Sequence, residues 1–431
     1  MKSATSLNDY LVVNQNIEPV LTRGVGAEIF DEEGRSYIDL EGGPGVASVG
    51  HCHPKVVEAI KKQADLLLQV PGRYHSRMTL TLAERLAGLT DNRLKRTFFA
   101  NSGAESNEGA IKASLKHAVN TRKQGYGIIA FDHGFHGRLS LSSALTGLSK
   151  QKRGMATFGI FPGVVHVHAP YCYRCPFGLQ NDSCAMKCAD AIEDAIKTRM
   201  PGDAAVMIAE PILGVGGVIT PPEGYWKKVQ EILARYKVTL IHDEVFVGFG
   251  RTGKWFAHEW YGAKPDIVTF AKTIGGGVPL GGFIATEELG TAFDPPDHFT
   301  TYGAKNQLGM AAAHAVLDVL QSENLIERAQ KAGERFMKNL QDIQRRRPML
   351  GDVRGKGLMI GLEIVERGGK EPAAAAAKKI EHAMVARGGL ISTTGVNGNV
   401  LRITPPLVIS DAQIDRACEA LDASIAEAGE S

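Results

Sequence analysis

What the chain lacks narrows the field first. No window of its 431 residues approaches the roughly 18–20 uninterrupted apolar positions of a membrane-spanning helix. Met1 to Asn14 is polar and mixed, without the basic-then-apolar order of a signal peptide, so a cytoplasmic protein is expected. A formal net charge of +2 provides no field that would recruit nucleic acid or anionic membrane, and neither is expected as a partner. Internal repeats and low-complexity linkers are absent as well; Ala373–Ala377 reads as helix interior.

What is present is ordinary globular material, 44% hydrophobic and 22% charged. The length suits a large domain plus a smaller one. The 49 glycines gather at the ends of apolar runs, where α/β enzymes place ligand-binding turns.

Residues 26–40 read as a hairpin around Asp31-Glu32-Glu33-Gly34, and Val56 to Leu68 has helical periodicity. Seven strand-like runs follow: Arg96–Ala100, Gly127–Phe131, Val164–Val167, Ala204–Ala209, Thr239–His242, Ile267–Phe270 and Gly282–Ala285. Amphipathic stretches separate them, which predicts an α/β fold with a mostly parallel seven-stranded sheet covered on both faces. From about Leu308 the character changes. Helices over Gly309–Gln321, Leu325–Arg345, Pro372–Ala386 and Asp411–Ala428, with β-type runs at Gly357–Ile364 and Val400–Ile403, predict a small α+β domain. The expected division is an N-terminal segment over 1–60, a large domain over 61–307 and a small domain over 308–431.

Two polar residues end neighbouring apolar runs: Asp243 in Leu240-Ile241-His242-Asp243 and Lys272 before Gly275–Gly277. An acid and a lysine so presented suit pyridoxal phosphate, the amine joining its aldehyde and the carboxylate holding its ring nitrogen protonated. A structural ion pair at a strand end is the plainer alternative, so the rest of such a site must be found. Ser102-Gly103-Ala104 follows one run and opens a helix, offering backbone N–H groups and a hydroxyl to a phosphate, or an ordinary N-cap. Phe135, in a Gly-punctuated loop, can stack on a ring, although an isolated Phe is more often core. Glu210 would sit near Asp243, and Val245 can cover the ring's second face. All these candidates lie at C-terminal ends of expected strands, where open α/β sheets bind ligands.

Taken together, NSGAESNEGAIKAS, FHGR, AEPILGVGG, HDEVFVGFGRTG, TFAKTIGGG, TTYGA, GDVRGKGLMIGLEI and NVLRITPPL resemble the class III aminotransferases of the fold-type-I pyridoxal-phosphate superfamily, from about Val25 to about Ala428. The resemblance implies Lys272 as the Schiff-base lysine, Asp243 on the pyridine nitrogen, Ser102, Gly103 and Ala104 on the phosphate, and Phe135 on the ring. It implies Thr301 reaching the phosphate from the partner subunit of a homodimer or dimer of dimers. Arg402 would bind a substrate carboxylate, for which guanidinium geometry is suited. The implied reaction moves an amino group from an amino acid donor, of the ω-amino or GABA-like kind, to a 2-oxo acid, with ping-pong kinetics.

Two departures qualify this. Many members that handle ω-amino acids read EPxQGEGG, and their second glutamate pairs with the carboxylate-binding arginine; here Val215 stands there. Either another acid takes the part or Arg402 stays available for α-carboxylates. The chain also resembles dialkylglycine decarboxylase, but Pro44 and Phe135 occupy the places of that family's Gln and Trp, which argues against decarboxylation. Gly303-Ala304-Lys305-Asn306 replaces its Gly-Gly-Asn-Pro. A racemase or epimerase on the same fold is the alternative function, and a non-catalytic protein on this fold would need neither Lys272 nor Asp243.

Four of six cysteines, Cys172, Cys175, Cys184 and Cys188, fall in one stretch. Their spacing is compatible with structural zinc or with free thiols in a reducing compartment, and no metal is assigned from spacing alone. The charge balance gives no support to an RNA-binding knuckle.

Overall fold

The computed structural model describes residues 19–122, 125–155, 160–180, 183–200, 202–294 and 299–430. Near the N-terminus, β1 (Leu21–Val25), β2 (Glu28–Asp31) and β3 (Ser36–Asp39) form an antiparallel meander, and the expected hairpin is its second turn. Asp31 closes that turn, accepting from the Glu33 and Arg35 amides at 3.0 and 2.9 Å.

The seven expected runs are β4 (Arg96–Ala100), β5 (Gly127–Phe131), β6 (Val164–Val167), β7 (Ala204–Ala209), β8 (Thr239–Asp243), β9 (Ile267–Phe270) and β10 (Gly281–Ala285). They make one sheet in the order β4-β10-β9-β8-β7-β5-β6, parallel except for β10, which runs against both neighbours. Every residue of β5, β7, β9 and β10 is buried. That is why these strands read as continuous apolar runs without alternation: helices cover both faces. The helix Tyr225–Arg235 shows how, burying Tyr225, Trp226, Val229, Ile232 and Leu233 along one stripe.

The chain crosses from β4 at one edge to β5 near the other. It then adds β6 outward and β7 through β10 inward, so strand order reverses around β5. A crevice opens at such a reversal, beyond the carboxyl ends of the strands. The register Ala209↔His242 and Asp243↔Thr269 sets Glu210, Asp243 and the start of the Lys272 turn at that end.

The C-terminal part has a second antiparallel sheet of β11 (Leu350–Lys356), β12 (Met359–Ile364), β14 (Ser392–Thr394) and β15 (Val400–Ile403), ordered β11-β12-β15-β14. The short β13 (Gly389–Leu390) pairs in parallel with β3, tying the N-terminal meander to this region. The helix Leu325–Arg346 buries Leu325, Ala329, Ala332, Phe336, Leu340 and Ile343 on one face.

Several elements depart from the reading of the sequence. The helix expected over Val56–Leu68 spans Pro54–Ala64. Leu66 to Leu68 leave it because the following chain bonds elsewhere: Leu68 O accepts from Gln307 N at 3.0 Å, and Gln69 bridges to Asn306. The helix after Leu308 starts at Gln307, capped by the Asn306 side chain on Gly309 N at 3.1 Å. β11 and β14 were not expected as strands, since Gly-Asp-Val-Arg-Gly-Lys carries no β-type run and β14 is three residues long. No helix among the described residues is long and apolar enough to cross a membrane.

Candidate active site

Lys272 follows β9 with φ of 53°, the left-handed region that side chains with a Cβ seldom adopt. The next residue fixes the turn: Thr273 Oγ1 bonds Gly45 O at 3.1 Å and lies 2.7 Å from Ser48 Oγ. The lysine amine ends 4.0 Å from the centroid of the Phe246 ring. Burial and the Arg402 charge push its pKa down to about 8, against the pull of Asp243 and Glu210.

Asp243, at the end of β8, is buried and faces the same crevice. Its Oδ2 accepts Asn107 Nδ2 at 2.7 Å and is 2.8 Å from His136 Nδ1, while Oδ1 accepts the Val245 amide at 3.0 Å. Thr269 Oγ1 donates to Asn107 Oδ1 at 2.7 Å and so orients that amide. Glu210 lies alongside, accepting the Phe135 amide at 2.9 Å and the Gly214 amide at 2.7 Å. Burial pushes its pKa up to about 7, the nearby Asp243 charge adding to the rise.

Ser102 caps the helix Gly103–Arg122, and its hydroxyl exchanges hydrogen bonds with Glu105, whose carboxylate also takes the Asn101 amide at 2.8 Å. A Cβ on Gly103 would stand 2.7 Å from Val245 Cγ1, so only glycine lets the helix start approach the valine this closely. Phe135 lies across the crevice with the Arg138 guanidinium 5.0 Å from its centroid.

Ser102, Gly103, Ala104, Phe135, Glu210, Asp243, Val245 and Lys272 thus line one cleft of about 270 Å³. Arg402 is brought to its edge: β15 carries it to 4.9 Å from the ring of Phe246, the residue that Lys272 touches. Thr301 is not in this cleft. It bonds Phe99 O at 2.9 Å and lines a separate apolar hollow of about 620 Å³ with Phe98, Ile111 and Phe299.

The donor set fits pyridoxal phosphate. Asp243 is a buried carboxylate whose hydrogen-bond partners are an amide side chain, an imidazole and a backbone N–H, and a protonated ring nitrogen would supply the cation a buried anion needs. A helix start suits the phosphate. Phe135 and Val245 offer apolar surfaces for the ring.

Asn107, His136 and Thr269 escaped the reading of the sequence. Asn107 could have been found, being one helical turn beyond Gly103 and so on the face presented to Asp243. Glu41, whose Oε1 is 3.5 Å from Arg402 Nη2, could not, because β3 and β15 lie far apart in sequence.

No disulfide joins any of the six cysteines. Among the described residues no three of their sulfurs lie within 4.8 Å of one another; the set that does bring metal-capable atoms so close is His242, Glu244 and His258. There Glu244 accepts Ala257 N at 2.8 Å and both His258 N and Nδ1 at 2.9 Å.

Comparison with known proteins fits this geometry. The class-III aminotransferase family matches residues 10–425. An acetylornithine aminotransferase of Methanothermobacter thermautotrophicus is 43% identical, covering 93% of this chain and 92% of its own. A leucine/methionine racemase of Thermococcus litoralis is 37% identical, covering 95% and 91%. Among solved structures, an (S)-enantioselective omega-transaminase of Thermomicrobium roseum superposes with a TM-score of 0.92 at 33% identity over 99% of both chains. Likeness of this extent, in sequence and in backbone, makes the chain a member of the class-III aminotransferases, transaminases that depend on pyridoxal phosphate.

Proposed function

We propose that the chain moves an amino group from an ω-amino acid of the 4-aminobutyrate kind to a 2-oxo acid, each half-reaction using the same cleft. The observation that carries this is the meeting of Lys272, Asp243 and, across Phe246, Arg402. Bound pyridoxal phosphate supplies the aldehyde that takes up the amino group and the electron-poor ring that stabilises negative charge beside it. The rest falls to the protein. Lys272, with its pKa at about 8, is partly neutral near pH 7–8 and can take a proton from the carbon bearing nitrogen and return it one position away. Asp243, oriented by Asn107 and His136, holds the proton on the ring nitrogen. Ser102, Gly103 and Ala104 hold the phosphate; Phe135 and Val245 clamp the ring. Arg402 holds a substrate carboxylate, and Phe246 fixes its distance from Lys272.

A racemase is the second reading, favoured by the likeness to the Thermococcus litoralis enzyme. It needs a second proton-moving group on the ring's other face. Asp243, Glu210 and His136 are each tied into hydrogen bonds around the cleft, which leaves Lys272 better placed than any of them and supports transfer.

The dimer belongs to the same proposal. Thr301 lies outside its own chain's cleft and lines an apolar hollow, which supports its serving the cleft of a second copy. Action in the cytoplasm also belongs to it, in line with six cysteines that form no disulfide. The test is a half-reaction with single donors and no acceptor. Lasting loss of the cofactor's visible band with 4-aminobutyrate or β-alanine supports transfer. A band that persists while an L-amino acid loses optical activity gives the racemase reading instead.

A further inference from the structure

His242 and Glu244 flank Asp243 in the chain, and their side chains take the other face of the sheet. Successive strand residues alternate between faces, and Glu244 N still bonds Thr269 O at 3.0 Å, so the alternation runs through it. Asp243 turns to the cleft; His242 turns to the helix Tyr225–Arg235, its ring centroid 4.5 Å from that of Trp226. Both His242 and Glu244 are buried, and neither nitrogen of His242 has a hydrogen-bond partner. A protonated imidazole would leave two N–H donors unmet there, so the ring is neutral, with one N–H and one lone pair. The Trp226 ring can receive the N–H, while Trp226 Nε1 is already given to Pro211 O at 3.1 Å. The lone pair has no donor.

His258 comes to the same place from the turn after Phe256. Its Nδ1 is 2.9 Å from Glu244 Oε1, and one ligand-type atom from each of His242, Glu244 and His258 lies within 4.8 Å of the others. Bonds of about 2.0–2.2 Å to a tetrahedral zinc set its ligands about 3.3–3.5 Å apart, a spacing that small turns of these side chains reach. Glu244 has none of its side-chain surface exposed, and His258 is its ion-pair partner among the described residues. The backbone N–H groups of Ala257 and His258, with His258 Nδ1, take three of its roughly four acceptor sites. One site and a negative charge remain. His258 keeps 8% of its side chain exposed, which gives an ion a way in.

We propose that His242, Glu244 and His258 bind a zinc ion on the face of β8 turned away from the cofactor cleft. Two imidazoles and one carboxylate are a zinc ligand set. The cation meets the His242 lone pair and balances the buried Glu244 charge. It also ties the end of the strand that presents Asp243 to the 257–258 turn, a structural role outside the cleft. The site does not depend on which amino donor the cleft takes.

The test takes untagged holoenzyme, clears it of metal with a chelator and titrates it with zinc chloride. After dialysis, elemental analysis is expected to find about one zinc per chain, and Tm to rise by about 5 °C. X-ray absorption at the zinc edge should show a nitrogen and oxygen shell at about 2.0–2.1 Å and no sulfur at about 2.3 Å. His242→Phe, which refills the space beside Trp226, should lose the ion and the rise in Tm while keeping the cofactor's visible band. His258→Gln should do the same, and Cys172→Ser with Cys175→Ser should retain both. A sulfur shell that vanishes with the cysteine pair would put the zinc in the cysteine cluster and overturn the inference. So would zinc held through nitrogen and oxygen in His242→Phe and His258→Gln alike. A wild-type chain that keeps no zinc and shows no change in Tm would also sink it, leaving His242 simply packed on Trp226. If His242→Phe does not fold, the wild-type absorption edge and His258→Gln still decide.

Discussion

At the scale of single residues, Lys272 makes the sharpest claim. Its pKa in the folded protein, about 8, lies below the ordinary lysine value of 10.5 because the amine is buried beside Arg402. A lowered amine pKa means that the unfolded chain holds more protons between those two values, so stability rises with pH across that window. Below about pH 8 the cofactor-free protein carries a buried ammonium, at a cost on the order of 3 kcal/mol. Lys272→Met in the cofactor-stripped protein is therefore expected to raise Tm at pH 7, with the gain shrinking toward pH 10. An equal gain at both pH values would argue against a buried charge there. Asp243→Asn keeps the shape but removes the anion. Activity with bound cofactor is expected to fall on the order of 10²–10³-fold, the scale of losing an electrostatic partner at a reacting centre.

Among elements, the segment after β8 depends on one carboxylate. Glu244 is buried and accepts the amides of Ala257 and His258 together with His258 Nδ1, pinning the 257–258 turn beneath the strand that presents Asp243. Glu244→Ala would strand buried donors and is expected to cost about 3 kcal/mol, read as a fall in Tm of the holoenzyme. Retained Tm would mean that the turn finds other acceptors. Legibility divided along the same line at this scale. β5, β7, β9 and β10 were plain because both faces are buried and the run is unbroken. β11 was not, because Arg354 at its centre points to Glu363 Oε2 at 2.7 Å and the Gly217 carbonyl at 2.6 Å. A strand stabilised by an ion pair to its neighbour carries no apolar signature.

For the whole molecule, the position of Thr301 outside its own cleft leads to a complementation experiment. Lys272→Ala lacks the amine, and in the proposed dimer Thr301→Glu would set a negative charge toward the phosphate of the partner's site. Each homodimer is expected to be nearly inactive. Unfolding and refolding an equal mixture should restore about a quarter of wild-type activity, since half of the random dimers carry one intact site of two. No recovery would place Thr301 away from the shared site.

The sequence by itself determined the meeting of Lys272 with Asp243, the helix start at Ser102–Ala104 and the seven-stranded sheet that presents them. Each is local, a polar residue or a glycine at the end of a run whose burial writes itself into adjacent positions. The tertiary structure alone decided what surrounds them. His136 reaches Asp243 from the loop after β5, Phe246 meets both Lys272 and Arg402, and Glu41 finds Arg402 across most of the chain's length. Such contacts come from the packing of the N-terminal meander and the C-terminal sheet around the crevice, and neighbouring residues in the sequence hold no record of them.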